Sequence, residues 1–234
     1  FRKGIAVDDK ADLSPVTVAD REAEAALRAA IERAYPADGI LGEEYGALRL
    51  DARRVWVIDP IDGTKSFISG VPLFGTLIAL VEDGEPVLGV IDQPISRERW
   101  IGARGHATTF CGAPVRTRAC PMLGAATLYS TSPDMFQGSE SESFGRLKSA
   151  VKLARFGADC YAYGLLAAGF IDVVVEASLK PYDYLAMVPV IEGAGGRIVD
   201  WEGRRLGLAS GGRILACGDP TLLSSARALL AGGP

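Results

Sequence analysis

The sequence predicts a mixed α+β protein in which helices pack in layers against β-sheets. A repeat of apolar residues at every fourth position near the N-terminus indicates a helix, and short runs rich in Val and Ile indicate buried strands. In the second half, helical patterns alternate with such strands. The chain has 234 residues, of which 48% are hydrophobic, so it is long enough to bury a large core.

The first half contains a clear helix signal. Thr17, followed three residues later by Asp20, forms a capping-box pattern, and Pro36 ends the apolar repeat. We therefore expect a helix over about 18–35. A β-branched and aromatic run over 55–58 predicts a strand that ends at Asp59.

An Asp-Gly pair at 83–84 predicts a hairpin between strands over 77–82 and 86–91. Further elements are expected in the second half: a helix over about 158–168, strands over 171–176, 197–201 and 214–217, and a helix from Asp219-Pro220 to about Leu230. Asp183 is expected to open another helix that closes at Gly195-Gly196, in which Pro189 either introduces a kink or marks an early turn.

Composition argues against several classes of protein. The net charge is −4 with both signs interspersed, which disfavours nucleic acid or an anionic membrane as a partner. No apolar stretch approaches the roughly 18–20 residues of a membrane helix, and no signal-peptide pattern is present. The four cysteines form no CxxC pair, so reduced thiols and a cytoplasmic location are expected. His106 is the single histidine and cannot form a zinc site.

Three acidic clusters could carry chemistry, at Gly42-Glu43-Glu44, at Asp59-Pro60-Ile61-Asp62-Gly63-Thr64 and at Pro181-Tyr182-Asp183. Crowded carboxylates repel one another and need a cation, and oxygen ligands without nearby His or Cys favour Mg²⁺. Taken alone, an Asp-Gly-Thr segment could equally close a loop, and Asp183 could simply cap a helix.

The whole run at 59–64 resembles the signature of the inositol monophosphatase-like phosphatases. The upstream Gly-Glu-Glu at 42–44 and the downstream Tyr182-Asp183 with Glu192-Gly193-Ala194-Gly195-Gly196 are similar to two other motifs of that family, although Tyr182 replaces the usual Trp. Lys10 with Ser14 to Thr17 resembles its N-terminal lysine loop. Order and spacing agree from about residue 10 to the C-terminus.

The resemblance implies a layered αβαβα sandwich of the inositol monophosphatase and fructose-1,6-bisphosphatase type. It implies an N-terminal α+β half over 1–118 and a C-terminal α/β half over 119–234, together forming one compact unit. A homodimer is the expected assembly.

The resemblance also implies roles for individual residues. Two or three Mg²⁺ ions would be held by Glu43, Asp59, the Ile61 carbonyl, Asp62 and Asp183. Thr64, with either Asp20 or Glu43, would orient and deprotonate the attacking water. The backbone amides of Gly63 and Thr64 would bind phosphate oxygens, and Asp183 would also contact the substrate.

The alcohol part of the substrate is predicted from an acidic wall. Asp159 and Glu176 fall where the family contacts its leaving group, and two acids suit an amine or imidazolium, although Asp159 could instead cap a helix. The segments at 157–161 and 179–184 resemble the histidinol-phosphate phosphatase branch, so L-histidinol phosphate, an ester of histidine biosynthesis, is favoured. The alternatives are myo-inositol 1-phosphate, a broad range of monoesters, or a regulatory binding protein with the same fold.

Overall fold

A computed structural model describes residues 1–2, 4, 7–9 and 15–231. Lys10 and Ser14, and with them the predicted lysine loop, lie outside the described residues. The elements up to residue 68 are β1 (Val7–Asp9), β2 (Pro15–Thr17), α1 (Val18–Ala34), β3 (Gly39–Gly42), β4 (Gly46–Leu48), β5 (Arg54–Asp62) and α2 (Thr64–Ile68). Then follow β6 (Gly75–Glu82), β7 (Glu85–Gln93), β8 (Glu98–Ala103), β9 (Thr109–Phe110) and β10 (Ala113–Pro114).

The second half begins with a 3₁₀ turn at Leu123–Ala125. Its remaining elements are β11 (Thr127–Ser130), a 3₁₀ turn (Pro133–Met135), α3 (Ser139–Ala150), β12 (Leu153–Phe156), α4 (Asp159–Ala167), β13 (Val173–Glu176), α5 (Pro181–Tyr184), α6 (Met187–Gly193), β14 (Arg197–Asp200), β15 (Ile214–Cys217) and α7 (Leu222–Leu230).

The strands form two main sheets. The first has eight strands in the order β10-β9-β8-β7-β6-β5-β3-β4, and only its β3–β5 pair is parallel. The second has five strands in the order β12-β11-β13-β15-β14, with β11 parallel to both of its neighbours. The predicted boundary at residue 118 falls between the last strand of the first sheet and the first strand of the second.

Helices cover the sheets in layers. α1 packs on the outer face of the first sheet through Ile31, Ile40 and Ile58. α4 and α6 contact strands of both sheets and so lie between them, while α3 and α7 pack together on the far side of the second sheet. The resulting order, α1, sheet, α4 and α6, sheet, α3 and α7, confirms the predicted αβαβα sandwich.

Four predicted elements agree closely with the structure. Thr17 caps α1 and forms the capping box with Asp20. The β6–β7 hairpin turns at Asp83-Gly84, and α4 and β13 lie within the predicted ranges.

Within the described residues, each helix is too short or too polar to cross a lipid bilayer.

Two predicted boundaries were wrong. Asp183 does not open a helix that reaches Gly195, because the chain instead forms the short helices α5 and α6. Since α6 begins at Met187, Pro189 lies in its first turn, where no backbone N–H is needed. The last helix begins at Leu222 rather than at Asp219, because Asp219 forms a turn with Thr221.

Candidate active site

The end of β5 differs from the predicted strand exit. The strand does not stop at Asp59 but continues to Asp62, and its pairing with β6 shifts register between these two residues. The Pro60 carbonyl accepts a hydrogen bond from Thr76 Oγ1 at 2.8 Å, and the Ile61 N–H donates to Asp59 Oδ1 at 3.0 Å. Because residues three apart on a regular strand face opposite sides, the shift is what brings both carboxylates to one side.

Asp183 approaches the same point from the second half of the molecule. It is the third residue of α5, and its Oδ2 accepts a hydrogen bond of 2.7 Å from the Lys180 N–H. Carboxylate oxygens of Asp59, Asp62 and Asp183 all lie within 4.8 Å of one another. Asp183 therefore stabilises the start of α5 and also belongs to the carboxylate cluster.

The electrostatics of this cluster favour a bound cation. Burial first, and then the charges of Glu43, Asp62 and Asp183, raise the pKa of Asp59 well above its ordinary value. Burial followed by Asp159 and Asp183 does the same to the pKa of Asp62. Burial raises the pKa of Asp183 to about 7. Such a set of oxygen donors fits a hard divalent cation, which would stabilise the ionised carboxylates.

The clustered aspartates line a cavity of about 140 Å³. Glu43, which follows β3, lines it too. It adds a charge and a side-chain hydrogen bond to the surroundings of Asp59. The turn that carries it is held by Glu24 of α1, whose buried carboxylate accepts from the N–H groups of Glu44 at 2.7 Å and Tyr45 at 3.0 Å. Arg28 donates to Glu24 at 2.8 Å. Glu24 was missed in the sequence, although it lies one helical turn after Asp20.

Thr64 begins α2 directly after Gly63. Gly63 has a φ of 82°, a left-handed conformation that favours glycine. The Thr64 hydroxyl lies 3.4 Å from Asp20 Oδ1 and 3.1 Å from the Ile61 carbonyl oxygen. Asp20 is fully buried behind Thr64, where its Oδ2 accepts from the Thr17 N–H at 2.8 Å. Thr64 and Glu43 line the cavity, as do Ile61 and Gly63.

Asp159 and Glu176 add two further carboxyl groups to the lining of the cavity. The N-cap of α4 is Ala158, and Asp159 is the first helical residue, so the capping alternative does not describe Asp159. Its Oδ2 instead accepts from Ser66 Oγ at 2.8 Å. Glu176 accepts from Thr131 N–H at 3.0 Å and from Tyr163 OH at 3.0 Å.

Burial raises the pKa of Glu176 to about 7, although hydrogen bonds from Thr131 and Tyr163 oppose that effect. Ser66, Thr131 and Tyr163 were not predicted as site residues from the sequence. Tyr163 lies one helical turn after Asp159 and could have been found from that spacing, whereas Thr131 is far from the site in sequence. A larger groove of about 760 Å³ lies near Arg146, Trp201 and Arg227, away from the carboxylate cluster.

Comparison with known proteins gives the family. Residues 1–231 match the model of the inositol monophosphatase family. The chain belongs to the inositol monophosphatase family. Membership confirms the resemblance on which the predicted fold and enzyme class depended.

Individual relatives within the family carry different names. The chain is 51% identical to the bifunctional phosphatase IMPL2, chloroplastic, of Arabidopsis thaliana, over 94% of this chain and 66% of that protein, so it spans just under two thirds of that relative's length. It is 38% identical to the histidinol-phosphatase of Chlorobaculum parvum, over 87% of this chain and 79% of that one.

A solved inositol monophosphatase from Zymomonas mobilis is 50% identical and superposes with a TM-score of 0.91, over 99% of this chain and 90% of that chain. These family relatives are phosphatases, which confirms the prediction of a phosphoric monoester hydrolase. One of them is named for histidinol and another for inositol, so family membership does not by itself identify the substrate.

Proposed function

We propose that this chain is a Mg²⁺-dependent phosphatase whose preferred substrate is L-histidinol phosphate. The observation that carries the proposal is the acidic wall formed by Asp159 and Glu176 beside the carboxylate cluster. An ammonium or imidazolium on the leaving group would stabilise the ionised form of these two carboxyl groups, whereas a neutral polyol would not. The name of the 38% identical relative from Chlorobaculum parvum supports the same choice.

The metal ligands are proposed to be Glu43, Asp59, Asp62, Asp183 and the Ile61 carbonyl oxygen. When bound, two or three Mg²⁺ ions would offset negative charge on the phosphoryl oxygens and make a nearby water more acidic. The raised pKa values of the three clustered aspartates support this assignment, because a cation is the simplest compensation for them.

The remaining residues would position the ester and move a proton. The Thr64 hydroxyl would orient the attacking water. Asp20, whose Oδ1 lies 3.4 Å from that hydroxyl, would accept the proton of the water. Glu43 is the alternative acceptor. The amides of Gly63 and Thr64 would donate to phosphate oxygens, while Asp159, Glu176 and Asp183 would contact the rest of the substrate. No covalent intermediate with the protein is required.

A second candidate is myo-inositol 1-phosphate, which the 50% identical inositol monophosphatase structure favours. Side-by-side measurement of kcat/KM for the two esters tests the proposal. We expect at least a tenfold preference for histidinol phosphate, about 1.4 kcal/mol of transition-state discrimination. A tenfold preference for the inositol ester would overturn the choice of substrate.

Two variants separate substrate recognition from chemistry. Asp159→Ala should lower kcat/KM for histidinol phosphate far more than for an aryl phosphate, and an equal loss would make Asp159 structural. Asp59→Asn should lower kcat by about a thousandfold or more on every ester, because a central charge of the cluster is lost. Intact fold and Mg²⁺ binding without turnover of any monoester would support the regulatory alternative instead. A cytoplasmic homodimer that binds neither nucleic acid nor membrane is part of the proposal.

A further inference from the structure

The turn before α4 has an unusual backbone. Gly157, Ala158 and Asp159 are three consecutive residues with positive φ, at 88°, 80° and 43°. Ala and Asp pay a steric cost in this region, and such conformations persist where surrounding contacts enforce them. Contacts at the end of this turn should therefore have a functional role.

Two hydrogen bonds join the turn to the end of β5 and to α2. The Cys160 N–H donates to Asp62 Oδ2 at 2.6 Å, and Ser66 Oγ donates to Asp159 Oδ2 at 2.8 Å. The Asp159 carboxylate lies directly against Gly63, since a Cβ at Gly63 would be 2.8 Å from Asp159 Oδ2. A negative charge is thus held beside the backbone proposed to bind phosphate.

This placement has a consequence for the substrate. A carboxylate beside a phosphate dianion repels it, and the repulsion is offset when the same ester carries a positive group. Within the described part of the chain, the Ser66 hydrogen bond engages Oδ2, so Oδ1 can accept from a ligand. The Ser66 hydrogen bond restricts rotation of the Asp159 carboxylate, and so it limits the directions in which Oδ1 can point.

We propose that Ser66 is a specificity-positioning residue that orients Asp159 toward the cationic group of an amine-bearing phosphate ester. The inference rests on the proposed function and adds to it the residue that sets the geometry of recognition. Ser66 itself would not touch the reacting atoms.

The test compares histidinol phosphate with its deamino analogue, which keeps the imidazole ring and phosphate but lacks the amine. Ser66→Ala should lower the kcat/KM ratio of the two esters about tenfold, mainly through KM for the amine-bearing one. Ser66→Thr keeps the hydroxyl and should restore most of the ratio. Ser69→Ala is the matched control, because Ser69 follows directly after α2, is exposed, and its hydroxyl bonds only to the carbonyls of Lys65 and Ser66 among the described residues.

Asp159→Asn distinguishes the possible failures. If Asp159→Asn removes the preference for the amine and Ser66→Ala does not, the role of Ser66 is wrong while the proposed function stands. If the parent protein shows no preference for the amine-bearing ester, the proposed recognition itself is wrong. In the double variant, Ser66→Ala should have no further effect on the ratio, because its action passes through Asp159.

Discussion

At the scale of single residues, the buried carboxylates fall into two groups with different surroundings. Asp20 and Glu24 accept hydrogen bonds from N–H groups, and Glu24 is also paired with Arg28 at 2.8 Å. Asp59 and Asp62 also accept one backbone N–H each, from Ile61 and Cys160, but the charged groups around them are other carboxylates. The first group is compensated by the protein itself, and the second is suited to compensation by a ligand.

Glu176 gives a prediction of pH dependence. Burial raises its pKa from an ordinary 4.5 to about 7, so the folded protein binds a proton that the unfolded chain has released. The stability contributed by this group is present below pH 4.5 and is lost as the pH rises to about 7, a loss on the order of 2–3 kcal/mol. Thermal melts of metal-free parent and Glu176→Gln should show the variant gaining relative stability from pH 5 to pH 8. A difference in stability between parent and Glu176→Gln that does not change with pH would contradict the raised pKa of Glu176.

At the scale of elements, α1 stabilises the turn that carries Glu43. Glu24→Ala should cost about 3 kcal/mol of unfolding free energy, because it leaves Arg28 and two N–H groups without their buried acceptor. It should also weaken Mg²⁺ binding measured by calorimetry, since the turn with Glu43 loses its anchor. Glu32→Ala, on the exposed part of the same helix, is the control and should change either quantity little. Loss of stability with unchanged Mg²⁺ affinity would show that Glu24 does not act on the site.

A pair of helix glycines tests the packing of α4. A Cβ at Gly164 would lie 2.9 Å from the buried ring of Trp100, whereas a Cβ at Gly145 in α3 would meet no atom within 4 Å. Gly164→Ala should therefore cost about 1–3 kcal/mol through overpacking, and Gly145→Ala should gain roughly 0.5–1 kcal/mol through helix propensity. Denaturant unfolding of both variants checks the opposite signs, and a gain at Gly164 would show that the two sheets can separate to admit a methyl group.

Local signals in the sequence predicted the elements that they control directly. The capping box at Thr17 and Asp20 and the Asp-Gly hairpin turn were confirmed because a few neighbouring residues determine each. α3 was missed, since its first turn is rich in Ser and Glu and its packing partner, α7, is distant in sequence. The register shift after Asp59 depends on pairing with β6, which no local pattern records.

The candidate site shows the same division. The acids of the two signatures were found from motif and spacing, and the structure brings Asp59, Asp62 and Asp183 together. The hydrogen bond from Ser66 to Asp159 was not foreseen because it joins the two halves, and the bond from Tyr163 to Glu176 was not foreseen because it depends on how α4 packs against β13.

At the scale of the whole molecule, the site joins the two halves. Asp59 and Asp62 come from the first sheet, and Asp183 comes from α5 in the second half. A cation bound by all three would link the layers and would stabilise the folded state by an amount that grows with the logarithm of its concentration above Kd.

Removal of metal should therefore lower the melting temperature. Saturating Mg²⁺ should raise the Tm of the chelator-treated protein by about 5–10 °C, corresponding to roughly 2.7 kcal/mol at a hundredfold excess over Kd. Asp183→Asn should lose most of this increase while its metal-free Tm stays equal or rises, because one buried negative charge has been removed. An unchanged response to Mg²⁺ in this variant would exclude Asp183 as a ligand.

Because of the register shift in β5, the number of residues between Asp59 and Asp62 affects how the strand presents its possible metal ligands. Substitutions at Pro60 or Ile61 alter side chains on a backbone path that still returns both carboxylates to one side. Deletion of either residue would restore regular pairing with β6 and place the two carboxylates two residues apart, still on one side of the strand. The shortened strand would keep both acids together but would lose the bulge that carries the Ile61 carbonyl, a proposed metal ligand. In this segment, the number of residues matters more to the proposed metal site than the identity of the side chains at 60 and 61.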